Sequence, residues 1–406
     1  MTLALAPASA TRWTQRVRDY LAMPRGSDAI AELDGLRALA IIFVLFRHGV
    51  RPFWREGEAL YPLGSWDAGI PLINGWVGVD LFFVLSGFLI THHICGRYRR
   101  QDGRIDFRDY LWRRALRIVP AYYTVMLVAA FGLIPYLQID QKLMALRIGY
   151  HLLFLQDYLP SNILATFWSL GVEEKFYLLS PLLLIAVFRL QRPAQQYAAI
   201  AALSALPIVL RWVIQAASPS EIDYVTFFMV YRSPFHASYE GLAIGMLCAL
   251  LYRDRARLVW LANQRSAQAL FWLGAALFVV IVGFVPLLDH IGFFDKVPLQ
   301  SLLSIGSGLL LLGLVFKGGP GRLFRSRPAL LLSRLAYCLY LVHLALLPMA
   351  QAFCASLAWY DGLSRGAQFL VFLPPYLLIA TAAALILHYA VEKPFLLLRE
   401  RRTVAV

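Results

Sequence analysis

The sequence predicts an all-α, polytopic helical membrane protein of about ten transmembrane helices with both termini in the cytoplasm. Three observations carry that expectation. Of the 406 residues, 60% are hydrophobic and 15% are charged, against about 45–50% and 25% in soluble globular chains. The apolar residues fall into stretches of about 20, the length that crosses a bilayer as a helix. Lys and Arg, finally, concentrate in every second loop. The mean hydropathy of +0.62 argues against a soluble enzyme, a disordered chain and a disulfide-stapled secreted domain. No ten-residue alternating pattern recurs, which excludes a β-barrel.

The elements follow in order. Residues 1–30 are polar and basic, with Arg12, Arg16, Arg18 and Arg25 but no adequate apolar core, so no cleaved signal peptide is expected. The first span, 36–50, then serves as the insertion signal. Further spans are read at 74–95, 115–136, 168–190, 196–216, 235–252, 268–288, 299–317, 330–352 and 368–391. A weaker stretch, 143–159, is interrupted by Arg147, His151, Gln156 and Asp157 and reads as an interfacial or re-entrant segment. One membrane domain, 31–396, is expected between a basic cytoplasmic N-terminal segment (1–30) and a basic cytoplasmic tail (397–406).

The formal net charge is +14, from 38 Lys+Arg against 24 Asp+Glu. The N-terminal segment, the loops after the second, fourth, sixth and eighth spans and the C-terminal tail together hold 25 of these cations. The intervening loops hold 7: Arg51, Arg55, Lys142, Arg147, Arg232, Lys296 and Arg365. Cations gather in cytoplasmic loops, so this asymmetry sets the orientation and explains most of the basic charge. A nucleic-acid patch has no reason to skip alternate loops, and no nucleic-acid partner is expected. Cys95, Cys248, Cys338 and Cys354 lie in or at the ends of spans without a CxxC pair, and read as small buried apolar residues. No metal and no permanently bound cofactor is expected.

Ionisable groups inside spans are costly and usually functional, and the topology gives each a depth. Arg37 lies near the cytoplasmic end of the first span and His48 near its outer end. Eleven residues place them on one helix face about 16 Å apart. Asp80, Glu173 and Glu174, His236, Tyr239 and Glu240, and His343 on a stripe with Tyr337 and Tyr340 are expected at similar depth near the outer face. Arg113, Arg114 and Arg117 enter the third span from the cytoplasm, and Arg334 enters the ninth. Arginine suits bidentate phosphate contacts. The pattern suggests a polyanionic ligand held inside and acid/base chemistry outside. Blander readings stand beside these. An arginine at a helix end is more often a snorkelling anchor. His92, His93, His151, His290 and His388 read as boundary or packing residues. Tyr122, Tyr123, Trp168 and Tyr177 suit an aromatic belt or a core.

Several segments together resemble a known family. LDGLRALAIIFVLFRH, from Leu33 to His48, is similar to the first-helix signature of the acyltransferase family 3 integral membrane proteins, with its Arg and His separated by ten residues. GVDLFFVLSGFLI, FRDYLWRRALRIVPAYY, FWSLGVEEKFYLLSPLLL, SRLAYCLYLVHLAL and VEKPF resemble the later motifs in order, so the likeness covers about residues 30–396. It departs at Arg47, where an apolar or aromatic residue is usual, and it is loose over Tyr231 to Gly245.

The resemblance implies an integral, multi-pass protein of the bacterial inner membrane. It implies transfer of an acyl group, commonly acetyl, from cytoplasmic acyl-coenzyme A to a hydroxyl of a carbohydrate or glycolipid. His48 corresponds to the family's essential His, Arg37 to its paired Arg, Arg113 and Arg117 to its basic third-helix positions, and Glu173 to its carboxylate. On this reading acyl-coenzyme A sets its phosphates against Arg37, Arg113, Arg114 and Arg117, with Tyr122 beside the donor. His48 acts as general base or is itself acylated, with Asp80 or Glu173 fixing its tautomer. Asn74, Tyr122 and Ser86 are candidate oxyanion donors, and His343, Tyr340 and Trp168 candidates for the acceptor side. The sequence ends eleven residues after Phe395, so transfer is expected within the membrane domain or with a separate protein. A lipophilic small-molecule acceptor such as an antibiotic sugar, or a non-enzymatic transporter or flippase, are the alternatives. The oligomeric state is open, a homodimer being one option.

Overall fold

A computed structural model describes residues 30–100, 103–159, 163–285 and 291–404. The basic segment read at 1–30 lies almost wholly outside the described residues, as does His290. The chain is 77% helical, and its described strands are one two-residue hairpin, Pro62–Leu63 against Trp66–Asp67.

Helices stand at all ten expected places: α1 (Glu32–Val50), α2 (Val77–Arg100), α3 (Phe107–Ala130), α4 (Trp168–Phe188), α5 (Pro193–Ala216), α6 (Glu240–Arg253), α7 (Gln264–Phe284), α8 (Pro298–Val315), α9 (Arg327–Ala355) and α10 (Arg365–Leu387). Six of them, α2, α5, α7, α8, α9 and α10, are long and apolar enough to cross a membrane. The other four fall short for identifiable reasons. Three charges interrupt α1 (Asp34, Arg37, Arg47), α3 (Arg113, Arg114, Arg117) and α4 (Glu173, Glu174, Lys175). Helix α6 is only 14 residues long, about 21 Å at 1.5 Å per residue, because the chain breaks at Tyr239 after a four-residue helix, Phe235–Ser238. Three of these four, α1, α3 and α4, carry residues of the candidate site, as do α2 and α9.

Local chemistry starts the helices where the sequence changes character. The side chains of Asp106, Asn263, Ser326 and Ser364 accept hydrogen bonds from backbone N–H groups in the first turns of α3, α7, α9 and α10, satisfying donors that the helix itself leaves unpaired. The stretch read at 143–159 forms a nine-residue helix, Met144–Leu152, too short to span. It is followed by turns that Lys175 ties down through Asp157 at 2.5 Å. Burial pushes the Asp157 carboxyl up against the opposing charge of Lys175.

Packing is closest where small residues meet. Helix α2 lies along α6, α7 along α8, and α9 between α1 and α10. A Cβ on Gly87 would come within 1.9 Å of the Leu242 carbonyl oxygen, and one on Gly245 within 2.1 Å of that of Val84. These two glycines let the α2 and α6 backbones touch, as in membrane helix pairs generally. Two π-helical turns, Phe228–Arg232 and His388–Glu392, interrupt the α-helical pattern. Such turns often mark functional positions, and both present charged side chains to the interior.

Candidate active site

Two cavities divide the helical core, and α1 runs past both. The first takes Arg37 from α1, Ser86 and His93 from α2, Arg114 and Arg117 from α3, Glu173 and Tyr177 from α4, Ser333, Arg334, Tyr337 and Tyr340 from α9, and Glu392. Four arginines face two carboxylates there. Arg37 donates to Ser333 Oγ at 3.0 Å, and Ser333 in turn donates to Asp34 at 3.0 Å. The Arg114 guanidinium lies over the Tyr177 ring, 5.3 Å from its centroid. Such an array suits a ligand carrying several negative charges.

The second cavity takes Arg47 and His48 from the far end of α1 and Arg51 from the turn just beyond it, with Trp76, Val79, Thr166, Trp168, Tyr224, Arg232 and Tyr340. His48 and His343 face each other with ring centroids 5.0 Å apart. The His343 Nδ1–H donates to the Leu339 carbonyl at 3.0 Å. A carbonyl can only accept, so the proton is on Nδ1. The other ring nitrogen, Nε2, is buried and has no hydrogen-bond partner among the described residues. Val79 and Tyr340 line both cavities, so they form the partition between them. The Tyr340 hydroxyl is fixed there by Ser169 Oγ at 2.5 Å and the Thr166 carbonyl at 2.8 Å.

The expected outer cluster divides between these spaces. His48, His343, Trp168 and Tyr340 come together. Asp80 does not serve His48: both of its oxygens accept from Arg232 at 2.7 Å, and the guanidinium is sandwiched between Trp76 and Trp168, 5.2 and 5.3 Å from the ring centroids. Glu173 also misses His48. It lies five residues beyond Trp168 on α4, about 7.5 Å deeper, and accepts from Ser86 Oγ at 2.6 Å among the arginines. Glu240 is taken up by Arg211 at 2.9 Å and Ser301 at 2.7 Å, while His236 stacks on Tyr158.

The expected donor residues take different places. Arg114 and Arg117 line the first cavity, while Arg113 is engaged by Asp109 at 2.8 Å and lines an adjoining recess that shares His93, Arg114 and Arg117 with that cavity. Tyr122 stands five residues past Arg117, rotated about 140° around the helix. Its hydroxyl is bonded to His151 Nδ1 at 2.7 Å, away from either cavity. Of the oxyanion candidates, Asn74 Nδ2 is spent on the Val282 and Val285 carbonyls that end α7, and Ser86 is spent on Glu173.

Three residues escaped the sequence reading. Arg232 counted only as a loop cation, and nothing in its local sequence marks Asp80, 152 positions away, as its partner. Ser333 is an unremarked small polar residue beside Arg334. Glu392, inside the VEKPF motif, accepts at one oxygen from His388 at 2.6 Å and from Cys338 at 3.1 Å, and its i,i+4 spacing from His388 was a usable signal. Cys338, His388 and Glu392 are the described residues whose donor atoms, all within 4.8 Å of one another, could hold a metal ion. The two hydrogen bonds to Glu392 account for their proximity as they stand.

Comparison with known proteins gives this geometry a context. The family described as "Acyltransferase domain" matches residues 30–389. YrhL of Bacillus subtilis (strain 168) is 28% identical over 216 residues, covering 48% of this chain and 31% of its own length. O-acetyltransferase OatA of Staphylococcus aureus (strain NCTC 8325 / PS 47) is 32% identical over 174 residues, 40% of this chain and 26% of its own length. Peptidoglycan O-acetyltransferase OatA of Listeria monocytogenes serovar 1/2a (strain ATCC BAA-679 / EGD-e) is 27% identical over 173 residues, covering 39% and 25%. The matched region thus spans a quarter to a third of these curated relatives. No solved structure matches the chain. With all but its ends matched in sequence and the motif residues gathered around two adjoining cavities, the chain is a multi-pass membrane protein of the acyltransferase family.

Proposed function

We propose that this protein is a ten-helix membrane O-acyltransferase that moves an acyl group, acetyl in the first instance, from acyl-coenzyme A in the cytoplasm to a hydroxyl of a glycan on the other side. One observation carries the reading: an arginine-lined cavity and a histidine-bearing cavity lie toward opposite ends of α1 and share Val79 and Tyr340 in their walls. Arg37, Arg114, Arg117 and Arg334 take the coenzyme phosphates. The pantetheine arm covers the roughly 16 Å between Arg37 and His48 and brings the thioester to the partition. His48 removes the proton from the acceptor hydroxyl, whose oxygen attacks the thioester carbonyl. The new C–O bond forms, the C–S bond breaks, and the imidazolium returns its proton to the departing thiolate. His343, its ring centroid 5.0 Å from that of His48, orients the imidazole. The alternation of basic loops supports the cytoplasmic placement of the arginine cavity.

The test is thiol release from acetyl-coenzyme A by purified protein given peptidoglycan glycan strands. His48→Ala should lose at least about a hundredfold in rate, the scale of a positioned general base, with an unchanged elution profile and melting temperature. Near-normal release by His48→Ala overturns the assignment.

A further inference from the structure

The charge balance of the His48 cavity has a feature that general O-acyl transfer does not need. Of its three arginines, Arg232 is neutralised by Asp80. Arg47 and Arg51 are not. Arg47 is 8% exposed; it donates to the Ile73 carbonyl at 3.0 Å and lies over the Tyr224 ring at 5.6 Å, with no carboxylate partner among the described residues. Arg51 makes no ion pair or side-chain hydrogen bond among the described residues and faces the same cavity. Asp80, spent on Arg232, is the acid that touches this wall, and no described carboxylate lines the cavity itself. Four residues apart, Arg47 and Arg51 share one face, and like charges in that relation repel. They flank His48.

A buried cation with no counter-charge is costly, and this chain keeps one beside its reacting base. We propose that the acceptor is an acidic glycan, carrying a carboxylate within reach of the hydroxyl to be acylated, and that Arg47 and Arg51 bind that carboxylate. Trp168 and Tyr224 supply apolar faces for the sugar rings between the acid and His48. An acid group held by two guanidinium groups orients the acceptor, so its hydroxyl meets His48 in one register. The inference rests on the proposed acceptor role of this cavity, but its test reads binding rather than turnover. An anionic lipid headgroup shares the chemistry of a glycan acid, so the test separates the two.

The full chain is placed in phosphatidylcholine nanodiscs and titrated with two probes by calorimetry. Chitohexaose is neutral. A hyaluronan hexasaccharide shares its N-acetylglucosamine units but alternates them with glucuronate. Wild type should bind the acidic probe at least about tenfold more tightly, one decade per well-placed ionic contact. Arg51→Gln should lose most of that preference while binding chitohexaose as wild type does, and Arg47→Gln should do the same if it keeps the wild-type melting temperature. Exposed Arg51 has no side-chain partner among the described residues, so Arg51→Gln decides the matter even if Arg47→Gln fails to fold. Equal affinity for the two probes overturns the proposal, as does a preference that survives Arg51→Gln. So does loss of the preference when one lipid in three is phosphatidylglycerol, which would assign the arginines to the membrane. A failure of acyl transfer shows instead as absent thiol release with either probe, and is distinguishable because the binding preference is measured without donor.

Discussion

Many ionisable side chains in the core are positioned by a partner, and those partners decide what they can do. Arg113, Arg114 and Arg117 look alike as a cluster entering α3, yet Asp109 engages the first while the other two face the arginine cavity. Arg117→Ala and Arg114→Ala should therefore each weaken acetyl-coenzyme A binding about tenfold, the loss of one charge-assisted contact. Arg113→Ala should change it less than about twofold. Isothermal titration of the three variants checks this, and an equal loss at Arg113 would return it to the donor site. Asp80 gives a contrasting case. Its role is to neutralise a buried guanidinium, so Asp80→Ala should destabilise the fold by about 3–5 kcal/mol. Replacing both partners, Asp80→Leu with Arg232→Met, should recover much of that loss because no orphan charge remains. Thermal unfolding in detergent measures the difference, and a single variant as stable as the double would rule out the ion-pair role. The Arg37 and His48 spacing was readable from α1 alone. The partner of Asp80 was not, because it comes from a π-helical turn far along the chain.

At the scale of helices, the sequence located most long elements to within about five residues, since apolar length and caps are local signals; α3, read at 115–136, instead runs Phe107–Ala130 because its charged first turns carry no apolar signal. The sequence also did less well at α6, read as one span over 235–252 and found broken at Tyr239. Apolar composition persists through that break, so periodicity gives no warning of it. The contact between α2 and α6 depends on Gly87 and Gly245, where carbonyl oxygens occupy the space of a Cβ. Gly87→Val should force the two backbones apart at a cost of about 1–3 kcal/mol or more. The same variant should lower transfer activity, because α2 carries Val79 and Ser86 into the cavities. Melting temperature and thiol release are to be measured together; an unchanged melting temperature would mean the helices have slack that the geometry denies. The charged helices α1, α3 and α4 are held by their neighbours rather than by their own hydropathy, which suits helices that must present ionic groups to an interior space.

For the molecule as a whole, the proposed function depends on a partition between two spaces that differ in charge and in chemistry. Val79→Phe adds bulk at the partition without touching an ionic group. It should leave acetyl-coenzyme A affinity within about twofold while cutting thiol release by tenfold or more, since a misplacement near 1 Å is enough for such losses. Unimpaired release would show that the thioester and acceptor do not meet at this point. Composition, span lengths and the alternation of basic loops determined by themselves that the protein is helical, apolar and multi-pass, and they set Arg37 and His48 on one face. These are properties of position along a single helix in a slab-like solvent. Which charges meet was decided only by tertiary structure: Arg37 with Ser333, 296 residues away, Asp80 with Arg232, and His48 with His343. The reason is physical. Depth follows from 1.5 Å per residue along one axis, whereas contact between helices follows from how their faces turn and how closely small residues let them approach, and no single helix encodes that.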